Sequence, residues 1–144
     1  MQIKTEHGHY FEVAARVNRT DECGETKRVK DIVVVDAVSF ADAEGQGFQC
    51  YDGCDADIVN INPATYTEVL EDAESTADRH YYKVKVDLID VSDNGKETRT
   101  KVVYLVYASS VKNAEVIVNE YMGVGNDYHV GAVVETKISE VWHG

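Results

Sequence analysis

The chain has 144 residues, 44% of them apolar and 28% charged, which suits one globular domain with a buried core and excludes a disordered or collagen-like chain. Its 26 acids against 14 bases leave a net charge of −12, so long-range repulsion excludes non-specific nucleic-acid binding, although a local basic patch can still hold an anion. No apolar run approaches the roughly 20 residues of a membrane span, the opening Met1-Gln2-Ile3-Lys4-Thr5-Glu6-His7 lacks the apolar stretch of a secretory signal, and three cysteines, an odd number, suit a reducing compartment. The expectation is a soluble, cytoplasmic protein with no membrane partner.

From Tyr10 the residues alternate, with Phe11, Val13, Ala15 and Val17 on one face and Tyr10, Glu12, Arg16 and Asn18 on the other, which predicts a half-buried strand. A turn follows at Asp21-Glu22-Cys23-Gly24, then a return strand containing Ile32-Val33-Val34-Val35, apolar on both faces and therefore central. Ser39 caps a helix beginning Phe40-Ala41-Asp42-Ala43-Glu44. Gly45 and Gly47 each cost up to about 1 kcal/mol in a helix interior, so this helix is expected to be short, frayed or bent. A third strand over residues 56–62, continuing through 66–70 past the only proline, Pro63, closes the unit.

After an acidic linker at residues 73–79 the same order returns. Tyr82, Val84, Val86 and Leu88 alternate with Tyr81, Lys83, Lys85 and Asp87; Ser92-Asp93-Asn94-Gly95 turns; Val102-Val103-Tyr104-Leu105-Val106-Tyr107 returns. Asn-Gly between two strand patterns signals a hairpin in which both residues tolerate positive φ. Ser110 then caps a helix whose stripe is Val111, Ala114, Ile117, Val118 and Tyr121, ending at Gly123, and a last strand runs from Tyr128 towards Trp142.

A shift of 71 residues superimposes the two halves. It lays His9-Tyr10-Phe11 on His80-Tyr81-Tyr82, Val13 on Val84, Gly24 on Gly95, Arg28 on Arg99 and Ser39 on Ser110. One inserted residue later, Thr67-Glu68-Val69 meets Ser139-Glu140-Val141. Such a period marks a duplicated unit. The predicted fold is α+β, two tandem ββαβ repeats related by a pseudo-two-fold, at residues 1–72 and 80–144, joined in one mainly antiparallel sheet of about six strands with one helix per repeat.

The Tyr-Phe-x-Val and Tyr-Tyr-Lys-Val-Lys-Val strand openings, Val-Val-Asp-Ala-Val-Ser-Phe-Ala-Asp-Ala-Glu at the first helix start and the run from His80 to Trp142 resemble an uncharacterised domain-of-unknown-function family of gut bacteria and their phages. That resemblance implies a small intracellular α+β protein, phage-borne in some members, and carries no catalytic residue with it.

Few constellations carry chemistry. Cys50 and Cys54, with Cys23 in a turn, lack the four ligands and the close spacing of a zinc site and read as core cysteines. Asp90-x-Ser92-x-Asn94-Gly95 begins like a calcium loop, but Lys101 stands where the bidentate Glu belongs, so it reads as a hairpin. No nucleophile elbow, Walker loop, dinucleotide fingerprint or zinc-protease helix appears, and no cofactor or metal is implied. What the halves share is His9/His80, Tyr10/Tyr81 and Arg28/Arg99. These residues are the ligand-site candidates, either as cross-strand Arg–Tyr clamps or as two half-sites for an anionic planar ligand. The leading reading is a non-catalytic binding or interaction module, a phage or mobile-element accessory protein acting on a host protein partner. The alternative is a sponge for a nucleotide or other small anionic signalling ligand, and a small hydrolase or metal-dependent enzyme stands third. A homo-oligomer would account for apolar residues left exposed on one face.

Overall fold

A computed structural model describes residues 1–143 of the chain. It is α+β, with the described residues forming β1 (Ile3–Glu6), β2 (Tyr10–Thr20), β3 (Thr26–Asp36), α1 (Phe40–Cys50), β4 (Ala56–Pro63), β5 (Tyr66–Asp72), β6 (His80–Val91), β7 (Glu97–Ala108), α2 (Val111–Met122), β8 (Tyr128–Glu135) and β9 (Ile138–Trp142). These make two compact units. The α2 unit comprises Met1–Gly8 and Tyr66–Thr136; the α1 unit comprises His9–Thr65 and the residues from Lys137 on.

Both predicted hairpins form, each turning on a glycine with positive φ, +79° at Gly24 and +80° at Gly95. The amide of Gly24 donates to the Asp21 carbonyl at 3.0 Å, and that of Gly95 to the Ser92 carbonyl at 2.9 Å. Among the described residues no other residue type has positive φ. Asn94 therefore does not share the left-handed conformation of a two-residue Asn-Gly turn; the glycine alone takes it, as in a three-residue loop with a bulge. The alternation of the following strands then sorts side chains between faces. In the α2 unit Val84, Val86, Leu70 and Val106 form one cluster with Ala114, Ile117 and Val118 of the helix. In the α1 unit Phe11, Val13, Val33 and Val35 gather with Ala43.

The two serines cap as expected. Ser39 Oγ accepts from the Asp42 amide at 3.1 Å and Ser110 Oγ from the Asn113 amide at 3.0 Å. The third helical residue reaches back in each case, Asp42 to the Val38 amide and Asn113 to the Ser109 amide, both at 3.0 Å, so a second orphan group is satisfied.

The third strand departs from expectation. Residues 56–70 are not one interrupted strand, because β4 pairs antiparallel with β2 whereas β5 leaves that sheet and runs parallel to β7. Likewise β8 pairs antiparallel with β6 while β9 runs parallel to β3. The single, mainly antiparallel sheet is thus replaced by two sheets, β1-β5-β7-β6-β8 and β4-β2-β3-β9, each with one parallel pair. Three strands, β1, β5 and β9, also pair in the sheet of the predicted repeat to which they do not belong. Pro63 marks the switch: it has no amide to continue a ladder, and Ala64 instead donates to the Tyr10 carbonyl at 2.9 Å. Irregularities fall at corresponding places, a bulge at Ala14/Ala15 against β4 and another at Lys85/Val86 against β8. The parallel pairs slip at Ile32/Val33 and at their counterparts Val103/Tyr104.

Helix α1 is the shorter of the two, but by one residue only, 11 against 12 in α2. A Cβ on Gly47 would lie 3.0 Å from both Val13 Cγ1 and Ile58 Cδ1, whereas one on Gly45 would meet nothing within 4 Å. Gly47 is therefore the close-approach point of helix and sheet, and the propensity it sacrifices is recovered in packing. Gly45→Ala is expected to raise stability by about 0.5–1 kcal/mol and Gly47→Leu to lower it by about 2 kcal/mol. Urea denaturation of both variants checks this, and shifts of the same sign would contradict it. No helix among the described residues is long and apolar enough to cross a membrane.

Candidate functional site

The residues shared by the halves do not assemble as expected. Tyr10 stands opposite Asp36 and Arg28 opposite Asn18, while Tyr81 stands opposite Tyr107 and Arg99 opposite Ile89. Each Tyr and its Arg are thus separated by most of a hairpin, about 27 Å at some 3.4 Å per residue. Tyr10 is buried, His9 donates from Nδ1 to the Ala37 carbonyl at 2.7 Å, and His80 is exposed at the start of β6. Tyr81 stacks on Tyr107 at 4.5 Å, and the arginine over that Tyr107 ring, also at 4.5 Å, is Arg79 of the linker. The Arg–aromatic clamp exists, but with a different arginine.

The two shared arginines are held by acids. Arg28 pairs with Asp57 and donates to Asn18 Oδ1 at 3.2 Å. Arg99 donates to Glu97 at 2.9 Å and lies 3.8 Å from Asp87. Two residues further along each return strand stands another shared base, Lys30 and Lys101, which the sequence reading passed over although it obeys the same offset of 71. Residues at i and i+2 of a strand share a face, so Arg99 and Lys101 point away from α2, as do Lys85 and Asp87, which alternate with the inward Val84, Val86 and Leu88.

On that outer face of the α2 unit, Asp87 lies opposite Lys101 and Lys85 opposite both Val103 and Ala132. Gly131 occupies the bulge, where it presents no side chain. The result is a shallow cleft of about 430 Å³ lined by Val103, Gly131 and Ala132 together with Lys85, Lys101 and Asp87. Among the described residues, neither Lys85 nor Lys101 has an ion-pair partner. Two ammonium groups that form no ion pair, beside apolar residues and one carboxylate, Asp87, that already pairs with Arg99, can hold a phosphate or carboxylate, and the cleft's size lies within the roughly 300–1,000 Å³ of small-molecule sites.

A second polar constellation sits in the α1 unit, unheralded in sequence because its second-half counterpart is Val102. Asp31, 8% exposed, is the buried charge of the described residues. It accepts from Tyr51 Oη at 2.8 Å, Ser139 Oγ at 3.1 Å and Arg19 Nη2 at 3.3 Å. Burial and that hydrogen bond to Asp31 push the Tyr51 phenol far above its ordinary range. The neighbouring Cys50 thiol is pushed up to about 12 by burial and by Glu140, 3.7 Å away. A thiol so raised stays protonated and is not a nucleophile at neutral pH. Of the cysteines expected in the core, Cys50 packs half-buried against it, whereas Cys23 and Cys54 are exposed. No group of three or more His, Cys, Asp or Glu among the described residues is arranged to hold a metal ion. The Asp31 network is satisfied within itself and ties β3 to the end of α1 and to β9.

Residues 9–144 match the family described as Domain of unknown function (DUF4494). No curated protein and no solved structure matches the chain.

Proposed function

The chain belongs to the DUF4494 family, whose description carries no activity, and from the chain's own geometry we propose that it is a non-catalytic binding module for a small anionic ligand. The observation that carries this reading is the pair Lys85 and Lys101, without ion-pair partners among the described residues at an apolar cleft of a chain with net charge −12. Local positive charge against that background focuses anions on one place. The cleft volume favours a small ligand, such as a nucleotide, over a protein partner, whose standard interface would cover about 800 Å² on each side. A protein of this kind sequesters its ligand, as a sponge does, and a phage or mobile-element accessory protein acts on its host by such sequestration.

We further infer that the two units are duplicated copies of one module. The shared serine caps, hairpin glycines, bulges and parallel-strand slips support that reading, because irregularities are less prone than apolar patterning to recur by convergence.

Melting in the presence of a nucleotide panel at fixed ionic strength tests the binding reading. A ligand at 100 times its dissociation constant adds about 2.7 kcal/mol. Lys85→Glu and Lys101→Glu are each expected to weaken binding by about 10- to 100-fold, the value of one charge-assisted hydrogen bond. Gly131→Val fills the cleft without altering charge and is expected to weaken binding as well; its counterpart at the other bulge, Val59, shows that the position accepts a side chain. Stabilisation by no member of the panel, or stabilisation indifferent to all three changes, would sink the proposal.

A further inference from the structure

We propose that the α1 unit carries a second anion site, formed by Arg16 of β2 and Lys30 of β3 and suited to the oxygens of phosphate or of a compact polycarboxylate. It rests on the anion-binding reading of the α2 unit but on different residues. Arg16 and Lys30 are directly opposite one another in the β2/β3 ladder, and both are exposed. They lie on the face away from α1, since Val13 and Val33, three residues away along each strand and so on the opposite face, point into the helix-side cluster. Like charges placed directly across a ladder repel and destabilise the pair. Among the described residues, neither forms an ion pair that would relieve this.

The nearest acid by register is Asp57, opposite Arg16 on β4, and its carboxylate is engaged by Arg28. One row further along the same face, about 7 Å away, Asn60 stands opposite Ala14 and offers amide donors. An oxyanion set between Arg16 and Lys30 would accept two parallel N–H bonds from the guanidinium and one from the ammonium, and would turn a repulsive pair into a bridged one.

The site is not a copy of the α2-unit cleft. At the corresponding positions only the lysine, Lys30 and Lys101, is common; Arg16 stands where the other unit has Asp87, and the carboxylate of this row, Asp57, comes instead from β4, where Arg28 engages it.

Isothermal titration with pyrophosphate, against sodium chloride at equal ionic strength, tests the proposal on wild type, the double variant Arg16→Gln/Lys30→Gln and the double variant Lys85→Gln/Lys101→Gln. Wild type is expected to titrate two sites and each double variant one. Melting supplies an independent readout: without pyrophosphate the Arg16→Gln/Lys30→Gln protein should melt at or above wild type, because a repulsion has been removed, whereas residues with a purely structural role would lower it. A site lost only with Lys85 and Lys101 overturns the second site and leaves the first standing. One lost only with Arg16 and Lys30 upholds the second site and overturns the first. Heats and melting shifts identical in all three proteins would mark a general salt effect and overturn both.

Discussion

Replacing Asp31 with Ala is expected to cost about 3 kcal/mol, because hydrogen bonds to a charged group contribute roughly 1.5–3 kcal/mol each and the half-buried Tyr51 Oη is left without an acceptor, whereas Ser139 Oγ keeps the Ile32 carbonyl and Arg19 is exposed to water. Tyr51 Oη, Ser139 Oγ and Arg19 Nη2 all converge on this one carboxylate, which is 8% exposed. Asp31→Asn keeps an acceptor and should lose about half as much. Denaturant unfolding at neutral pH measures both, and a loss under 1 kcal/mol for the alanine variant would show the network to be energetically idle. The same cluster governs the response to alkali. Folded Cys50 and Tyr51 hold their protons above the ordinary values of 9.0 and 10.0, so their contribution is fully present below about pH 9. As pH rises further, the unfolded chain gives up protons that the folded chain retains, and stability falls. Tyr51→Phe should flatten that decline while losing its bond to Asp31 at every pH.

Leu70→Ala is expected to cost about 3–4 kcal/mol, within the 2–5 kcal/mol typical of emptying a fully buried leucine site. Leu70 has no exposed surface, and its cluster includes Val84, Val106 and Ile117. It is also the residue through which β5 is anchored, standing opposite Val106 of β7 on one side and Thr5 of β1 on the other. The loss should therefore be local before it is global. Amide exchange in β5 and β1 should quicken more than in β6, and uniform quickening would mean that the strand does not detach separately.

Hairpins, caps and central strands were legible because each rests on neighbours a few residues apart: period-two alternation, a serine three residues before an acceptor-poor amide, a glycine where φ must be positive. The destinations of β5 and β9 were not. A short strand with one apolar face satisfies any open sheet edge equally well, and only the packed whole decides which. Gly47 was misread for a related reason, since propensity prices the helix alone and is blind to Val13 and Ile58 on the facing strands. In the candidate site, alignment of Tyr10 with Tyr81 and Arg28 with Arg99 correctly suggested shared positions, but shared position is not proximity, and strand length separates each pair. Lys30 and Lys101 obey the same offset, but a lysine with no aromatic beside it in sequence carries no local signal of a site. Asp31 had no such signal, because nothing local distinguishes one buried acid among 26.

Because β9 belongs to the unit that begins at His9, that unit is not complete until the ribosome has made Ile138–Trp142, while the one holding Tyr66–Thr136 closes earlier. During synthesis the edge of β3 must wait, unpaired, through roughly a hundred residues of chain growth, at about 5–20 residues per second a pause of several seconds or more. An open edge is a template for foreign strands. The stretch that waits is Ile32–Val35, and the exposed charges Lys27, Arg28 and Lys30 just before it on β3 are placed to discourage such intruders. One of them, Lys30, would then serve the proposed anion site in the finished protein and guard an unfinished one.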